Sequence, residues 1–407
     1  MTEPIVVSGF SQLSPLGLTI QEMDQSFLNN DTKATSFKIE IEGIDADTVP
    51  IFQTKINTNQ VVAPSKLPLD RCTALALLVS QAAFKQADLN LSTIDHHRLG
   101  IFWGSGMSGA GSLDLASASI YRDHKRIRPT TVITAMPNAP AGEIALMFQA
   151  YGASITYCCA CASSAVAIGE AYWALRSGRI DVAIVGGSEA MLTPGVVASW
   201  QALRVLSKIT DTAHNACRPF DSQRNGFTLG EGAGAIILET HKHATQRGHQ
   251  PKLALSGYAT NCDGTHITNP NVEGQIQAMS LALNHAKLKA KDIGYLNAHG
   301  TATQAGDLCE AQSIASVFKD TAVAVSSTKG LHGHLLGAGG AVELIVALRA
   351  LQTQLLPANA HLRQVDPKIH LDLIQGQSRS TKNLKHVMSN SFAFGGTNAV
   401  LIASLID

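Results

Sequence analysis

Short runs of β-branched and other apolar residues recur along the chain, and longer segments with helical periodicity separate several of them. The runs with the length and composition of buried strands are residues 5–7, 98–102, 180–185, 233–238 and 322–325. The segments with a helical pattern are residues 70–86, 162–176, 274–286 and 340–352. Strands that alternate with helices predict an α/β protein in which helices cover parallel or mixed sheets.

A polar stretch rich in Lys and His, HKHATQRGHQP, interrupts this pattern near residue 250. It predicts a division into an N-terminal part, residues 1–250, and a C-terminal part, residues 251–407. No low-complexity tract or long linker occurs in the sequence, so we expect the two parts to pack tightly. The segment from about residue 30 to 60 has no clear pattern, and we predict no structure for it.

Composition and charge exclude several classes of partner. The chain has 407 residues, 45% of them hydrophobic, and its 31 basic residues balance its 31 acidic residues. We therefore expect a large core and no binding to nucleic acid, and a charged partner would need a local patch. The N-terminus lacks the pattern of a secretion signal, and we expect no apolar run of the ~18 residues that a membrane span needs. A cytoplasmic location follows, where the seven cysteines would stay reduced.

Three cysteines lie close together in the stretch ITYCCACASSAVAIG. A zinc site usually combines a C-x2-4-C pair with a second pair, but Cys158 and Cys159 are adjacent and neither Cys217 nor Cys262 has a close companion. Adjacent cysteines also have poor geometry for a disulfide. We interpret Cys158 and Cys159 as small residues buried at the end of a strand.

Cys161 differs because it lies where the predicted strand turns into the helix at 162–176. The unpaired N–H groups and the dipole of a helix N-terminus favour thiolate over thiol, so we predict that Cys161 is a nucleophile. Two histidines, His299 and His334, each follow an apolar run and precede a Gly-rich loop, and His332 is the obvious rival of His334. Together with Cys161 they form a candidate nucleophile–histidine set at the ends of strands.

Five segments in a fixed order resemble the elongating β-ketoacyl-[acyl-carrier-protein] synthases, condensing enzymes of the thiolase superfamily. They are CACASSAVAIGEAYWALRSGRIDVAIVGGSEA, RPFDSQRNGFTLGEGAGAIILE, NAHGTATQAGD, SSTKGLHGHLLGAGGAVE and SNSFAFGGTNAVLI. The resemblance runs from about residue 95 to the C-terminus, with a fainter match in VVSGFSQLSPLG. It implies a thiolase-like fold, a duplicated five-layer αβαβα architecture with the nucleophile in residues 1–250 and both histidines in residues 251–407. It also implies a homodimer or a heterodimer with a homologous subunit.

The same resemblance implies an acyltransferase that condenses an acyl group held on Cys161 with malonyl-acyl carrier protein, with loss of carbon dioxide. The product would be a 3-oxoacyl-acyl carrier protein of fatty acid, polyketide or aryl polyene elongation. His299 and His334 would bind the malonyl thioester carbonyl, and the backbone N–H groups of Cys161 and Phe394 would form the oxyanion hole. No cofactor is implied, because phosphopantetheine of the carrier protein holds the substrates.

Further roles follow from the resemblance. Lys329 is placed in the catalytic set, with Glu343 and Asp307 supporting it. The residues placed against substrate are Thr301, Thr303, Met107, Phe227 and Phe392. No metal is required, although a monovalent cation is possible at Asn297, Glu343, Ser389 and Asn390. The basic residues placed at the carrier-protein docking surface are Lys66, Arg71, Lys125, Arg126, Arg128 and Arg204. For residues 125–128, a solvated run of charges is the competing interpretation.

Three positions depart from the common pattern of the family. Ala393 occupies the first glycine position of the Gly-Phe-Gly-Gly gate, Cys159 stands where Thr is commoner, and Asn225 replaces Asp. These departures favour a specialised pathway over housekeeping fatty acid synthesis. Two alternatives stay open: a non-condensing subunit like a chain-length factor, which would lack Cys161, and a coenzyme A-dependent thiolase, which would have a second reactive cysteine in its C-terminal half.

Overall fold

The protein is described here by a computed structural model that covers residues 3–31, 33–41 and 44–406. Its strands are β1 Ile5–Leu13, β2 Thr35–Ile41, β3 Ile44–Phe52, β4 Leu99–Gly104, β5 Ser154–Tyr157, β6 Val182–Glu189, β7 Leu229–Gly230, β8 Gly232–Thr240, β9 Leu253–Cys262, β10 Tyr295–Asn297, β11 Ala324–Ser326, β12 Leu355–Leu356, β13 Asp372–Leu373, β14 Arg379–Ser380, β15 His386–Phe392 and β16 Thr397–Leu405. Its α-helices are α1 Ile20–Asn29, α2 Arg71–Gln86, α3 Ala110–Tyr121, α4 Thr131–Ala135, α5 Ala139–Phe148, α6 Ser163–Arg176, α7 Pro194–Ala202, α8 His241–Gln246, α9 Val272–Ala286, α10 Gln304–Val317, α11 Lys329–His332 and α12 Gly339–Thr353. The strands and helices predicted from periodicity are confirmed, with ends that shift by a few residues.

Eleven of the strands form one mixed sheet in the order β13-β11-β10-β15-β16-β9-β1-β8-β6-β4-β5. The sheet contains the same arrangement twice. In the N-terminal half, β1 pairs antiparallel with β8, and β8 pairs antiparallel with β6. Strand β6 then pairs parallel with β4, and β4 pairs parallel with β5. Strands β9, β10, β11, β15 and β16 repeat this order and these directions. The two arrangements meet where β1 pairs with β9, with Ile5 opposite Leu255.

Helices cover both halves of the sheet and fill the space between them. Helices α6 and α12 contact each other and strands of both halves, and their apolar residues form the largest core cluster. A second cluster joins α2 and α5 to the N-terminal strands, and a third joins α9 and α10 to the C-terminal strands. The order of layers is therefore αβαβα, which confirms the predicted thiolase-like fold.

The central helix α12 is unusually apolar. The stretch Leu336–Thr353 is long and apolar enough to span a bilayer by length and composition, so the expectation that no run reaches that length is wrong. However, 83% of this stretch is buried inside the protein, between α6 and β15. Its composition follows from burial on nearly all sides in the middle layer of the core.

The segment for which the sequence predicted no structure contributes to the site. Strands β2 and β3 pair antiparallel and join β7 in a small three-stranded sheet. Ile39, Val49 and Ile51 of this sheet lie in the same apolar cluster as Cys161. The small sheet therefore forms part of the apolar surroundings of the predicted nucleophile.

Candidate active site

Cys161 lies in a tight turn, Ala160–Ala162, between β5 and the first residue of α6. Ala160 has a φ of 45°, in the left-handed region that residues with a side chain rarely adopt. The Ser163 hydroxyl holds this turn, since it accepts from the Cys159 N–H at 2.9 Å and donates to the Ala160 carbonyl at 2.7 Å. The turn places the Cys161 sulfur in a cleft while the residue is 7% exposed. Cys158 is exposed and Cys159 is half-buried, so the expectation that both are buried is wrong.

His334 faces this sulfur. Its Nε2 is 3.0 Å from Sγ of Cys161. The Leu336 N–H donates to Nδ1 of His334 at 3.3 Å, so the proton of the neutral ring is carried on Nε2 and points toward the sulfur. Backbone bonds fix the residue itself, because His334 pairs with Thr228 and Gly230 beside β7.

His299 completes the set from the other side of the cleft. Its ring centroid lies 5.3 Å from that of His334, with the ring planes at 80°. His299 follows β10 directly, and His334 follows β11 after the short helix α11, so both histidines lie beyond the carboxyl ends of parallel strands. The ligand atoms of Cys161, His299 and His334 all lie within 4.8 Å of one another.

These distances alone would suit a three-ligand zinc site. Nε2 of His334 could bind a metal only if its proton moved to Nδ1, where the Leu336 N–H already points. Such a shift would set two donors against each other in a buried place. The tautomer of His334 therefore favours donation of a hydrogen bond over ligation.

Burial controls the protonation of this set. It raises the pKa of Cys161 to about 12, although the Lys329 ammonium and the Phe394 N–H oppose the rise. Burial, followed by the charge of Lys329, holds the pKa values of His299 and His334 well below their usual range. The expected preference for thiolate at the helix N-terminus is reversed, because loss of water around the sulfur outweighs these opposing contacts. At neutral pH the site holds a thiol and two neutral imidazoles.

Lys329 and Glu343 form an ion pair behind the histidines, and both side chains are buried. Burial raises the pKa of Glu343 to about 7, while the Lys329 ammonium opposes that rise. The two residues are therefore not an ordinary surface ion pair. His332 is excluded as a rival of His334, because its Nε2 bonds to the Thr328 hydroxyl at 2.9 Å and its ring does not line the cleft.

The cleft above Cys161 has a volume of about 240 Å³ and reaches solvent beside the exposed Ile267. The predicted substrate residues along its walls are Thr301, Thr303, Phe227 and Phe392, and Phe394, predicted for the oxyanion hole, lines the same cleft. The hydroxyls of Thr301 and Thr303 lie 3.0 Å apart. Asp307 lies behind the threonine loop and accepts from the Phe220 N–H at 2.7 Å and the Ala302 N–H at 3.0 Å, a supporting position.

Sequence reasoning missed two buried carboxylates and an aromatic residue. Glu310 accepts from the N–H groups of His299 and Gly300, at 2.8 and 2.7 Å. It follows Asp307 by three residues on α10, a helical spacing that could have revealed it. Glu189 accepts from three backbone N–H groups, those of Gly106, Met107 and Gly337. Trp200 lines the cleft from α7.

Two predicted site residues lie elsewhere. Met107 does not line the cleft in this chain: it lies on a partly exposed turn held by Glu189. Arg71 donates to Glu231, Thr54 and the Ile56 carbonyl, so its guanidinium supports a loop and is withdrawn from the docking set. The other proposed docking residues are exposed: Lys66, Lys125, Arg126, Arg128 and Arg204. Arg126 and Arg128 line one surface groove with Pro68 and Leu69.

The possible cation site fits its predicted residues. Oδ1 of Asn297 and Oδ1 of Asn390 are buried without a hydrogen-bond partner among the described residues. Asn390 donates to Glu310 at 3.2 Å. Burial, and to a lesser extent the nearby charge of Glu310, raises the pKa of Glu343. Amide and carboxylate oxygens suit a hard cation, so Asn297, Asn390, Ser389 and Glu343, with Glu310, could hold a monovalent ion.

Comparison with known proteins gives the family. The sequence model described as "Beta-ketoacyl synthase, N-terminal domain" matches residues 2–244, and that described as "Beta-ketoacyl synthase, C-terminal domain" matches residues 253–363. The chain belongs to the β-ketoacyl synthase family. It is therefore a condensing enzyme of the acyltransferase class, which acts in acyl-chain elongation without a free cofactor.

Individual proteins agree with this family. The chain is 36% identical to nodulation protein E of Rhizobium leguminosarum bv. trifolii, over 98% of this chain and 99% of that protein. It is 33% identical to 3-oxoacyl-[acyl-carrier-protein] synthase 2 of Staphylococcus aureus strain COL, over 98% and 97%. A type II polyketide ketosynthase, solved in complex with its acyl carrier protein and bound to a hexaketide, matches with a TM-score of 0.92 and 25% identity over the whole of both chains.

Proposed function

We propose that this chain is a 3-oxoacyl-[acyl-carrier-protein] synthase that holds the growing acyl group on Cys161 and extends it with malonyl-acyl carrier protein. The observation that carries the proposal is the buried thiol of Cys161, 3.0 Å from the Nε2–H of His334, with His299 beside it. A non-condensing subunit would have no use for this nucleophile. The division into residues 1–250 and 251–407 assigns the nucleophile to the first part and both histidines to the second.

The first half-reaction loads the acyl group. The Cys161 sulfur forms a bond to the carbonyl carbon of the incoming thioester, the bond from that carbon to the pantetheine sulfur breaks, and the pantetheine thiol leaves with the proton of Cys161. The Phe394 N–H approaches the Cys161 sulfur, which supports its role with the Cys161 N–H as the oxyanion hole. Thr301 and Thr303 present hydroxyls to the pantetheine arm along the cleft wall.

The second half-reaction forms the carbon–carbon bond. The bond between the malonyl carboxyl carbon and C2 breaks, carbon dioxide leaves, and the electron pair becomes a thioester enolate. Neutral His299 and His334 donate hydrogen bonds to the enolate oxygen, where the negative charge develops. C2 then bonds to the acyl carbonyl carbon, the bond to the Cys161 sulfur breaks, and the sulfur takes up a proton. Burial, followed by the charge of Lys329, keeps the histidines neutral, and Lys329 stabilises negative charge in the site.

The carrier protein is the proposed partner, and its acidic surface needs a basic patch on this neutral chain. Exposed Arg126 and Arg128, with Lys66 close in sequence to the Pro68 side of their groove, supply one. Lys125 and Arg204 extend the set. The solved ketosynthase in complex with its acyl carrier protein supports this kind of partner.

We further propose that the chain is cytoplasmic and forms a homodimer. Support for the dimer comes from an exposed apolar face beside β5, one of the two edge strands of the large sheet. The large apolar residues of this face are Leu113, Leu115, Ile120, Val132, Ile133, Leu146 and Ile155. These residues lie on α3, α4, α5 and β5, and each of these elements contacts the next. A cluster of exposed apolar side chains of this kind marks an interaction surface. Ala393, Cys159 and Asn225, with the similarity to nodulation protein E, favour a specialised acyl pathway.

Mass spectrometry after incubation with acyl-carrier protein tests the proposal. We expect one acyl group on Cys161, its loss in Cys161→Ala, and its retention in Cys158→Ala, which removes the exposed thiol three residues away. Acylation from acyl-coenzyme A, with none from the carrier protein, would instead indicate a thiolase.

The same preparations separate the two half-reactions. Cys161→Ala should still release some carbon dioxide from malonyl-carrier protein, because the histidines remain. His334→Ala should lose that release by about 10²- to 10³-fold, the usual effect of removing one such donor. His332→Ala is the matched control, and normal release in His334→Ala would remove His334 from its role.

A further inference from the structure

Glu189 is a buried carboxylate between two loops beside the catalytic set. It ends β6, and its Oε2 accepts from the Gly106 N–H at 2.6 Å and from the Gly337 N–H at 3.0 Å. Its Oε1 accepts from the Met107 N–H at 3.1 Å. Gly106 and Met107 follow β4, whereas Gly337 lies in the tight turn just after His334. One carboxylate therefore ties a loop of the N-terminal half to the loop that carries His334.

The two loops approach each other through their backbones. A Cβ added at Gly337 would lie 2.1 Å from the Gly106 nitrogen, and a Cβ added at Gly106 would lie 2.9 Å from Oε2 of Glu189. Because neither residue has a side chain, both N–H groups can reach the same carboxylate oxygen. The position of Gly337 therefore depends on its hydrogen bond to Glu189.

Leu336 connects this anchor to His334. Its φ is 42°, in the left-handed region that a residue with a side chain adopts only when its surroundings impose it. The Leu336 N–H donates to Nδ1 of His334 at 3.3 Å, which leaves the ring proton on Nε2, 3.0 Å from the Cys161 sulfur. Since Gly337 is the next residue, Glu189 fixes the peptide that follows Leu336. The carboxylate thus holds the strained residue whose N–H selects the tautomer of His334.

A carboxylate is a costly group to keep in this place. Burial raises the pKa of Glu189 to about 7, although the N–H groups of Gly106, Met107 and Gly337 oppose the rise. An amide or an apolar side chain would fill the same space with a smaller loss of solvation. A buried ionisable group that bonds to the loop of a catalytic histidine is therefore a candidate for a role in the reaction.

We propose that Glu189 is a positioning residue that keeps the proton of His334 on Nε2 by holding Gly337, and with it Leu336, in place. This inference rests on the proposed donation by His334 to the malonyl enolate. Without the carboxylate, Leu336 relaxes toward a favoured backbone conformation and its N–H leaves Nδ1. The proton of His334 is then shared between both ring nitrogens. A ring with its proton on Nδ1 cannot donate from Nε2, so the enolate loses one of its two donors.

The first test reads the tautomer directly and needs no substrate. Heteronuclear NMR of protein labelled at the histidine ring nitrogens separates protonated from unprotonated nitrogens, and the His334 signals are those absent from His334→Ala. Wild type should carry the proton on Nε2 alone, whereas Glu189→Ala should show exchange between both nitrogens. Ser105→Ala is the matched control and should resemble wild type. The Ser105 hydroxyl contacts the same carboxylate at Oε1, away from the oxygen that binds Gly337.

The second test compares the two half-reactions. Release of carbon dioxide from malonyl-carrier protein should fall about 10- to 100-fold in Glu189→Ala, the range found when a group that orients a functional histidine is removed. Glu189→Gln, whose amide oxygen still accepts from Gly337, should retain most of the release. Acylation of Cys161 by acyl-carrier protein should be no slower in Glu189→Ala than in wild type. Burial and, to a lesser extent, the charge of Glu189 raise the pKa of this thiol, so loss of the charge does not disfavour the thiolate.

Circular dichroism checks that each variant is folded. Glu189→Asp, which keeps the charge but falls one methylene short of Gly337, should also show tautomer exchange, and it replaces Glu189→Ala if that variant does not fold. A folded variant with the wild-type tautomer or the wild-type release would overturn the inference, as would an equal loss of release and acylation. If wild-type protein releases no carbon dioxide, the proposed function fails, and the tautomer still decides whether Glu189 positions His334.

Discussion

At the scale of single residues, burial from water sets the protonation state of the groups in the site. The Cys161 thiol is buried, the two histidines are neutral, and the Lys329–Glu343 pair supplies the nearby charge. A neutral imidazole keeps one N–H that can donate to an enolate, and burial keeps the ring neutral through the physiological range. The low polarity that makes the thiol a weak acid therefore suits the histidines to their proposed role.

This view predicts how Cys161 reacts with iodoacetamide. The thiolate reacts, and below a pKa of about 12 its fraction rises about tenfold for each pH unit. The rate constant for alkylation at Cys161, followed by peptide mass spectrometry, should therefore keep rising between pH 7 and pH 9. Cys161→Ala controls for modification of the exposed Cys158. A plateau in this range would show instead that the helix N-terminus lowers the pKa of the thiol, as the sequence alone suggested.

At the scale of elements, residues 393–396 between β15 and β16, the gate loop, are held by backbone hydrogen bonds. The Gly395 N–H donates to the Ile267 carbonyl at 2.7 Å, and the Ala393 N–H donates to Thr397 at 2.8 Å. The Ala393 side chain packs against the central core cluster and the cluster that contains Cys161. The methyl group that departs from the family pattern thus has a packing role, and it also restricts the backbone at the start of the loop.

Ala393→Gly should therefore loosen the gate loop. We expect faster acylation of Cys161 by long-chain acyl-carrier protein, since the loop opens more easily, and a fall in the free energy of unfolding of about 0.4–1 kcal/mol. Rapid-quench acylation and urea denaturation measure the two effects. Ala403→Gly in β16 is the control, because it weakens a strand without touching the loop. Acylation no faster than in wild type would mean that Ala393 does not restrict opening.

The elements also show how far sequence reasoning reaches. Strands and helices with strong periodicity were predicted, as were Cys161, His299 and His334, because their positions at element ends are local features. Arg71 was misplaced because its partner, Glu231, is 160 residues away in sequence. Glu189 was missed because it binds three N–H groups of two distant loops. The small sheet of β2, β3 and β7 escaped prediction because its register joins residues far apart, such as Ile51 and Leu229.

At the scale of the whole molecule, the duplication explains where the site lies. In each arrangement, the catalytic residues follow the carboxyl ends of the parallel strands. The loops after β5, β10 and β11 meet at Cys161, His299 and His334, although they belong to different parts of the chain. The duplication was invisible in the sequence because the repeat conserves strand order and direction, and not a recognisable pattern of residues. Glu189 and Gly337 join the two parts directly beside the catalytic set.

A single chain leaves the apolar face beside β5 exposed to solvent. Strand β5 pairs with β4 on one side and ends the sheet on the other. Val132 and Ile133 on α4 are 67% and 55% exposed, and Met107 lies partly exposed in the turn before α3. If a second copy covers this face, it removes these side chains from water. Met107, which the family resemblance places against substrate, then lies near a dimer interface.

We therefore expect the wild-type protein to sediment as a dimer at micromolar concentration. The double variant Val132→Glu with Ile133→Glu should sediment as a monomer, because two buried, unpaired carboxylates in each subunit would oppose association. Leu28→Glu is the matched control: Leu28 on α1 is 53% exposed, similar to Ile133, but lies outside the apolar face, so this variant should remain dimeric. Analytical ultracentrifugation measures the masses, and circular dichroism checks that each variant is folded. A dimeric double variant would move the interface elsewhere. A wild-type monomer would contradict the homodimer and direct the search to a homologous subunit that covers the same face.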